Sequence, residues 1–534
     1  MRQFPWFDLL AILVIAAVGR ALLLASGAVS FHSDEAIVAL MARHINQGAR
    51  PVFFYGQAYM GSLDAWLIAI GFRLLGESVM SIRVVQSVLY LLVVATAYLA
   101  AWQLSGKRIV AAVAGLLLAV PAVNTMLYTT ATLGGYNETL LLGNLMLILG
   151  HALVSRQMRF GWRWAGLGLA AGLGWWTNGL IVVYALPVGL VLLVSWIRQR
   201  ISVGTVAPGI GLALLFFVAG SAPWWVFDFT HQHAALSTYL TNRQSGEFEG
   251  IGIPYVPPPQ RALGLILIGL PTLIGLRFPW SSTYFLIPAG VLVALVYGVA
   301  VYRFSRRPDP LTAYGRLLVA GLLLIFCILF IASTFGADPT GRYFLPLVLP
   351  LAIIVGTLTD ELAQWAGSAS GWKRGLAAVP AALIVLYHVL GQVAAIQSPT
   401  GVTTQFDLIS HIPNDHDDEA IAFLLANDLR YGHTNYWVAF RLAFLSGEAL
   451  QYSASLPYKA DLSYNPADKR YRPYVDATAA AARIAYITTK LPALDEQIEA
   501  ALQAQGIAYD IATIGEYRIY HDFSENPPLM IFGM

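Results

Sequence analysis

The sequence predicts a polytopic, all-α membrane domain of about eleven spanning helices, followed by a small α/β domain outside the membrane. Composition is the first reason, because 57% of the 534 residues are hydrophobic and only 12% are charged, whereas soluble proteins carry about 25% charged residues. The second reason is a series of long uncharged apolar runs, each near the 20 or so residues that cross a bilayer as a helix. The third is the return of polar and charged residues after residue 396.

The spans are predicted in residues 1–396, which we take as one membrane domain. They cover residues 8–27, 83–104, 109–127, 138–155, 163–178, 180–197, 204–222, 283–302, 314–333, 343–360 and 375–395. The segment 262–277 is apolar but contains Pro271, and it is predicted to be interfacial or re-entrant. Alternate short loops are basic, and basic loops stay in the cytoplasm. We therefore expect an integral plasma (inner) membrane protein with its N-terminus inside and residues 28–82 and 397–534 outside.

Residues 397–534 form the second predicted domain. Helical spacing is found at 415–430 and 494–506, and β-branched and aromatic residues predict strands at 482–490 and 516–523. A net charge of only +2 gives no reason to expect nucleic acid as a partner. The single cysteine, Cys327, excludes an internal disulfide framework and any cysteine-based zinc site.

The stretch FHSDEAIVALMARHINQG, residues 31–48, places two acids directly after the first span. Helix capping alone could explain them, since acids in a first turn suit the helix dipole. On a helical wheel, however, Asp34 lies on the apolar stripe of this helix and Glu35 lies beside it. A carboxylate on a buried face is costly unless it is paired or functional. We therefore predict that Asp34 is functional and Glu35 structural.

Other polar residues accompany predicted membrane-surface elements. Residues 50–76 contain a second amphipathic helix, and Gln57, Tyr59 and Asp64 lie in or near it. Glu138 opens the span at 138–155, where a capping role is the alternative explanation. Arg342 and Tyr343 open another span, either as an interfacial anchor pair or as a clamp for phosphate.

The order of these parts resembles the GT-C membrane glycosyltransferases, in the branch of protein O-mannosyltransferases and aminoarabinose transferases. An acid pair follows the first span, Leu74-Leu75-Gly76 precedes Arg83 at the next span, Glu138 follows, and Arg342-Tyr343 precedes a proline-rich span. The resemblance covers about residues 5–360. Relatives often carry Lys-Pro-Pro in the first outer loop, where this sequence reads Gln57-Ala58-Tyr59-Met60-Gly61. Arg342 or Arg83 would then have to replace that lysine.

The resemblance implies inverting transfer of a monosaccharide from a polyprenyl-phosphate donor to a hydroxyl of a lipid, glycan or protein at the outer membrane face. Asp34 would be the catalytic base. The substrate-binding residues would be Glu138, Arg342, Tyr343, Gln57, Tyr59 and Arg83. Asp34 and Glu138 could also hold a divalent cation, Mg²⁺ or Mn²⁺, since both prefer oxygen ligands. A polymerase or ligase for lipid-linked oligosaccharide is the alternative, and a transporter is the more distant one.

Overall fold

The structure, a computed structural model, describes residues 4–241, 255–306, 311–367, 371–405 and 409–528. A helical part comes first and a smaller part with a five-stranded sheet follows. The elements of the helical part are α1 (Trp6–Ala25), α2 (Ser33–Asn46), β1 (Phe53–Phe54), β2 (Gln57–Gly61), α3 (Leu63–Leu75), α4 (Val79–Ser105), α5 (Arg108–Ala119), α6 (Val123–Tyr128), α7 (Tyr136–Ser155), α8 (Trp162–Thr177), α9 (Val182–Arg198), α10 (Val203–Thr230), α11 (Ala234–Thr241), α12 (Pro258–Gly264), α13 (Leu270–Leu273), α14 (Ile287–Arg306), α15 (Ala313–Ala332), α16 (Val348–Ala366) and α17 (Gly371–Ile396).

Within the described ranges, nine helices are long and apolar enough to cross a membrane. They confirm a multi-pass membrane protein, although two of the eleven predicted spans are shorter than expected. The span predicted at 109–127 ends as α5 at Ala119 and resumes as α6 at Val123. Pro121 lies between them, and proline restricts the preceding residue to extended backbone, which stops a helix. The span predicted at 163–178 is α8, with 16 residues.

The predicted interfacial segment 262–277 is a short, irregular helix. It consists of α12, a π-helical turn at Leu265–Gly269, and α13. Pro271 lies near the start of α13, and a π-turn widens the backbone locally. The residues from Pro258 to Leu273 would be about 24 Å long at the usual rise of 1.5 Å per residue, which is less than the hydrocarbon thickness of about 30 Å.

The smaller part confirms a C-terminal α/β unit. Its elements are α18 (Asp417–Ala426), β3 (Tyr431–Asn435), α19 (Tyr436–Leu445), β4 (Gln451–Leu456), α20 (Arg472–Ala480), β5 (Ala485–Thr489), α21 (Pro492–Ala504), β6 (Asp510–Ile514) and β7 (Tyr517–His521). The predicted helices correspond to α18 and α21 and the predicted strands to β5 and β7. The strand order is β4-β3-β5-β7-β6, with β3 parallel to β4 and β5, and β7 antiparallel to β5 and β6.

The C-terminal unit packs on α2, and this contact positions the candidate site. The apolar face of α19, including Phe440 and Phe444, joins α2 and α3 in one hydrophobic cluster. Polar contacts surround it, such as the pair between Arg43 of α2 and Glu448 after α19. Because the carboxyl ends of parallel strands meet at one edge of a sheet, β3 and β4 both deliver their following residues toward this contact. The sheet edge therefore faces the start of α2.

Helix α2 is consequently not a membrane-surface helix. It lies between α3 on one side and α19 on the other, and almost all of its residues are buried. The predicted difference between its faces is therefore wrong: Glu35 is fully buried, whereas the side chain of Asp34 is 29% exposed. Helix α3 does keep a surface face, with Ile70 and Leu74 exposed, as expected for a helix lying against lipid.

Candidate active site

Asp34 lies in the first turn of α2, at the contact with the sheet edge. Tyr436, the residue that follows β3, donates a hydrogen bond to Oδ1 of Asp34. A terminal guanidinium nitrogen of Arg470 lies 3.9 Å from the same oxygen. Among the described residues, Oδ2 of Asp34 accepts no hydrogen bond from the protein. A partly exposed carboxylate with one unengaged oxygen can accept a proton from a bound hydroxyl group.

Arg470 connects Asp34 to the hairpin of the first outer loop. With its amide oxygen turned toward Arg470, Gln57 accepts hydrogen bonds from both terminal guanidinium nitrogens, at 3.0 and 3.2 Å. The hydroxyl of Tyr59 lies 3.3 Å from the same amide oxygen. The guanidinium also lies over the ring of Tyr436, 4.9 Å from its centre. Gln57 and Tyr59, both predicted as binding residues, thus lie in one polar cluster with Asp34.

Arg342 and Tyr343 lie at the start of the membrane helix that contains α16. Nε of Arg342 is 2.6 Å from Oδ2 of Asp338, and its guanidinium lies 4.9 Å from the ring centre of Tyr343. The side chain of Arg342 is still 42% exposed. Tyr128, at the end of α6, is close enough to interact electrostatically with both Arg342 and Asp34. The roles of Asp34 as base and of Arg342 and Tyr343 as clamp stay predictions.

Glu35 and Arg83 form an ion pair inside the protein. Both terminal nitrogens of Arg83 donate to the carboxylate of Glu35, and the backbone N–H of Thr132 donates to it at 3.1 Å. Arg83 also donates to the carbonyl of Ser30 at 3.2 Å and is only 3% exposed. Its bonds are thus directed to the protein, and its assignment to the substrate stays a prediction.

Glu138 is a buried acid near Asp64, which is also buried. Neither carboxyl oxygen of Glu138 has a hydrogen-bond partner among the described residues. Asp64 accepts hydrogen bonds from Gln86, at 2.8 Å, and from Thr132. Burial raises the pKa of Asp64, because a buried carboxylate loses its hydration. Substrate or cation binding by Glu138 stays a prediction.

The sequence suggested Asp34 and Glu138 as ligands for Mg²⁺ or Mn²⁺. Within the described part of the chain, no group of three or more His, Cys, Asp and Glu side chains is placed to hold a metal ion. Asp34 has Tyr436 and Arg470 as neighbours, and cation binding by Asp34 and Glu138 stays a prediction.

Two residues of the cluster, Tyr436 and Arg470, were not predicted from the sequence. Both belong to the C-terminal unit, more than 400 residues after Asp34. One signal for Tyr436 was available, because it directly follows a strand of a parallel pair, where the carboxyl ends of strands commonly form binding sites. No comparable pattern marks Arg470, which lies in a loop before α20.

Comparison with known proteins finds relatives that are named as mannosyltransferases or arabinosyl transferases. The family model of dolichyl-phosphate-mannose-protein mannosyltransferases matches residues 62–227. An undecaprenyl phosphate-alpha-4-amino-4-deoxy-L-arabinose arabinosyl transferase of Pseudomonas fluorescens is 27% identical over 324 residues, which are 56% of this chain and 49% of that protein. A Pseudomonas aeruginosa enzyme of the same name is 27% identical over 338 residues, 60% of this chain and 53% of its own. The chain spans about half the length of the curated relatives that it matches.

Solved structures share the whole architecture. ArnT from Cupriavidus metallidurans, crystallised with undecaprenyl phosphate, superposes with a TM-score of 0.59 at 13% identity, over 97% of this chain and 98% of ArnT. The chain has the GT-C fold of membrane glycosyltransferases. The same fold includes the Archaeoglobus fulgidus oligosaccharyltransferase, with a TM-score of 0.51 at 13% identity, over 96% of this chain and 73% of that protein. The GT-C resemblance read from the sequence is thus confirmed. The matched range 62–227 contains Arg83 and Glu138 but neither Asp34 nor Arg342.

Proposed function

We propose that this protein is a glycosyltransferase that moves a monosaccharide from a polyprenyl-phosphate donor to an acceptor hydroxyl, with inversion at the anomeric carbon. The observation that carries the proposal is the partly exposed carboxylate of Asp34, which has one unengaged oxygen, and the partly exposed guanidinium of Arg342 at the start of a membrane helix supports it. The names of the relatives support the donor class, because they act on undecaprenyl-phosphate aminoarabinose or dolichyl-phosphate mannose. The acceptor is a lipid, glycan or protein hydroxyl.

The reaction assigns one task to each side of the cluster. Asp34 takes the proton of the acceptor hydroxyl, and this oxygen forms the new bond to the anomeric carbon. The bond from that carbon to the donor phosphate breaks, and its electron pair leaves with the lipid phosphate. Arg342 stabilises the charge on that phosphate, since guanidinium binds phosphate with charge-assisted hydrogen bonds. Tyr343 supports Arg342 through its ring.

We place the reaction at the outer face of the membrane. The predicted cytoplasmic loops are the basic ones, and the N-terminus would lie on their side. Asp34 follows a single span, and the C-terminal unit packs directly on it. The cluster and the C-terminal unit then share the outer side. Arg342 lies at the end of a membrane helix, where the phosphate of a lipid donor is also located.

The test uses membranes that contain the full chain, supplied with undecaprenyl-phosphate-linked aminoarabinose or mannose. Release of undecaprenyl phosphate and labelling of endogenous acceptors are measured. Asp34→Asn should slow transfer by about 10²–10⁴-fold, the usual contribution of a general base. Asp428→Asn is the matched control, because Asp428 is 74% exposed and pairs only with nearby Arg430 among the described residues. Normal transfer by Asp34→Asn would contradict the role of Asp34 as the base. Full activity of Arg342→Ala would contradict the role of Arg342 in binding the phosphate.

A further inference from the structure

Arg470 differs from the other arginines at the contact between the two parts of the chain. Arg83 forms two hydrogen bonds with Glu35, and Arg441 lies 2.9 Å from Asp417 with no exposed surface. Arg470 instead directs both terminal nitrogens to the neutral amide of Gln57. Its nearest carboxylate oxygen is that of Asp34, at 3.9 Å, and its side chain is 17% exposed. A guanidinium placed in this way keeps most of its capacity to bind an anion.

Asp468, the other acid near Arg470, neutralises the charge of Arg470 only in part. Asp468 is 4% exposed, and Oδ2 of its carboxyl group has no hydrogen-bond partner among the described residues. Burial raises the pKa of Asp468 to about 7, while Arg470 and Lys459 act in the opposite direction. At neutral pH this carboxyl is therefore only partly ionised. The positive charge of Arg470 remains available beside Asp34.

The backbone holds Arg470 in place. Gly56, at the tip of the β1–β2 hairpin, packs so closely that a Cβ atom there would lie 2.9 Å from Cα of Arg470. In the chain before it, Asn465 caps the turn at Pro466–Asp468, and the N–H of Arg470 donates to the carbonyl of Asp468 at 2.8 Å. A side chain fixed by the surrounding backbone loses little conformational entropy when it binds a ligand.

Tyr59 links Arg470 to the proposed phosphate clamp, because its hydroxyl lies 3.3 Å from the Gln57 oxygen that accepts from Arg470. Tyr59 interacts electrostatically with Arg470 and with Tyr343, the aromatic neighbour of Arg342. Of the two arginines, only Arg342 has a carboxylate, that of Asp338, within 3 Å, whereas the carboxylate of Asp34 stands 3.9 Å from Arg470.

We propose that Arg470 binds the phosphate of the lipid-linked donor together with Arg342, so that the C-terminal unit supplies part of the active site. This inference rests on the proposed function. Relatives often carry a lysine in the first outer loop, where this sequence has Gln57-Ala58-Tyr59. In the proposal, Arg470 of the C-terminal unit supplies the positive charge of that lysine. When the anomeric bond breaks, Arg470 and Arg342 both stabilise the charge on the leaving phosphate.

The experiment measures binding of undecaprenyl phosphate and of undecaprenol to the purified full chain in detergent. The wild type should prefer the phosphate. Arg470→Ala should weaken phosphate binding by about tenfold or more, as for a lost hydrogen-bonded charge, and leave undecaprenol binding unchanged. Arg470→Gln removes the charge with less loss of packing, and Arg470→Lys should be intermediate because it lacks the two-pronged geometry. Arg472→Ala is the control, since Arg472 is 64% exposed and pairs with Asp476 on the surface of α20.

The outcomes separate this inference from the proposed function. A wild type that binds undecaprenol as well as undecaprenyl phosphate would contradict the donor class itself. Wild-type preference for phosphate, with equal binding by folded Arg470→Ala or Arg470→Gln, would overturn the role of Arg470 and leave the function standing. If these variants bind the phosphate normally but change the pH profile of transfer, Arg470 only positions Asp34, and the inference also fails.

Discussion

Asp34 and Glu35 are adjacent in sequence and each faces an arginine, yet the two ion pairs are built differently. Glu35 receives two hydrogen bonds from Arg83 and one from a backbone N–H, with no exposed surface. Asp34 is 29% exposed, and Arg470 stands 3.9 Å away. Direct pairing uses the hydrogen-bonding capacity of both charges and holds the fold together. Looser pairing leaves one oxygen of the acid and the guanidinium able to contact a substrate.

The largest expected effect is the loss of stability in Arg83→Ala. Burial raises the pKa of Glu35 to about 7, and Arg83 opposes this rise, so Glu35 would take up a proton in Arg83→Ala. Loss of one partner of a buried pair typically costs about 3–5 kcal/mol. We expect Arg83→Ala to unfold at a much lower temperature in detergent, while Arg470→Ala loses little stability.

A double variant separates charge from packing at this pair. Replacing both partners, as in Glu35→Gln with Arg83→Met, removes both charges, so no unpaired charge stays buried, and the amide oxygen can still accept from the N–H of Thr132. This variant should recover a large part of the stability lost in Arg83→Ala. If Arg83→Ala were as stable as the wild type, or if Arg470→Ala were destabilised equally, the proposed division between a structural and a functional pair would be wrong.

The second test addresses the contact that brings Arg470 to Asp34. Glu448 accepts hydrogen bonds from His44 at 2.9 Å and from Tyr474 at 2.7 Å, and it lies 3.3 Å from Arg43. Burial alone would raise the pKa of Glu448, but the hydrogen bonds of His44 and Tyr474 and the charge of Arg43 lower it to about 2. Glu448→Gln should cost about 1–3 kcal/mol of unfolding free energy near neutral pH.

The pH dependence of this effect has a definite sign. A carboxyl group whose pKa is lower in the folded state stabilises the protein above its unfolded pKa, near 4.5, and loses that effect as the pH falls toward 2. The stability difference between wild type and Glu448→Gln should therefore shrink between pH 4.5 and 2. Glu419→Gln is the control, because Glu419 is 68% exposed on α18. A difference that does not change with pH would show that Glu448 contributes through packing alone.

The residues of α2 also show what a sequence can predict here. Composition and periodicity predicted the membrane helices and the strands β5 and β7, because each depends on local pattern. The helical wheel placed Asp34 on the buried side of α2 and Glu35 on the exposed side, because only one face of the helix was expected to pack against the protein. In the structure α19 covers the second face. That contact joins residues about 400 positions apart, so no local pattern contains it, and Arg470 was missed for the same reason.

The smallest expected effect is at Gly56. A substitution there tests the spacing between Asp34 and Arg470. Gly56 has a φ of +73°, and a Cβ atom there would lie 2.9 Å from Cα of Arg470. Alanine at such a φ is strained by about 1 kcal/mol, and the contact would push Arg470 away from Gln57 and Asp34. Gly56→Ala should therefore weaken undecaprenyl phosphate binding several-fold while the protein stays folded.

The matched control for this variant is Gly27→Ala. Gly27 has a similar φ of +66°, and an added Cβ atom would meet nothing within 4 Å. It therefore repeats the backbone strain without the contact with Arg470. Comparable lipid binding in the two variants would mean that the position of Arg470 is unimportant. Weaker binding in Gly56→Ala alone would show that the affinity for the donor depends on how closely the C-terminal unit packs on the first outer loop. Donor binding would then depend on the position of Arg470 beside Asp34, a role that the buried pair of Glu35 and Arg83 does not have.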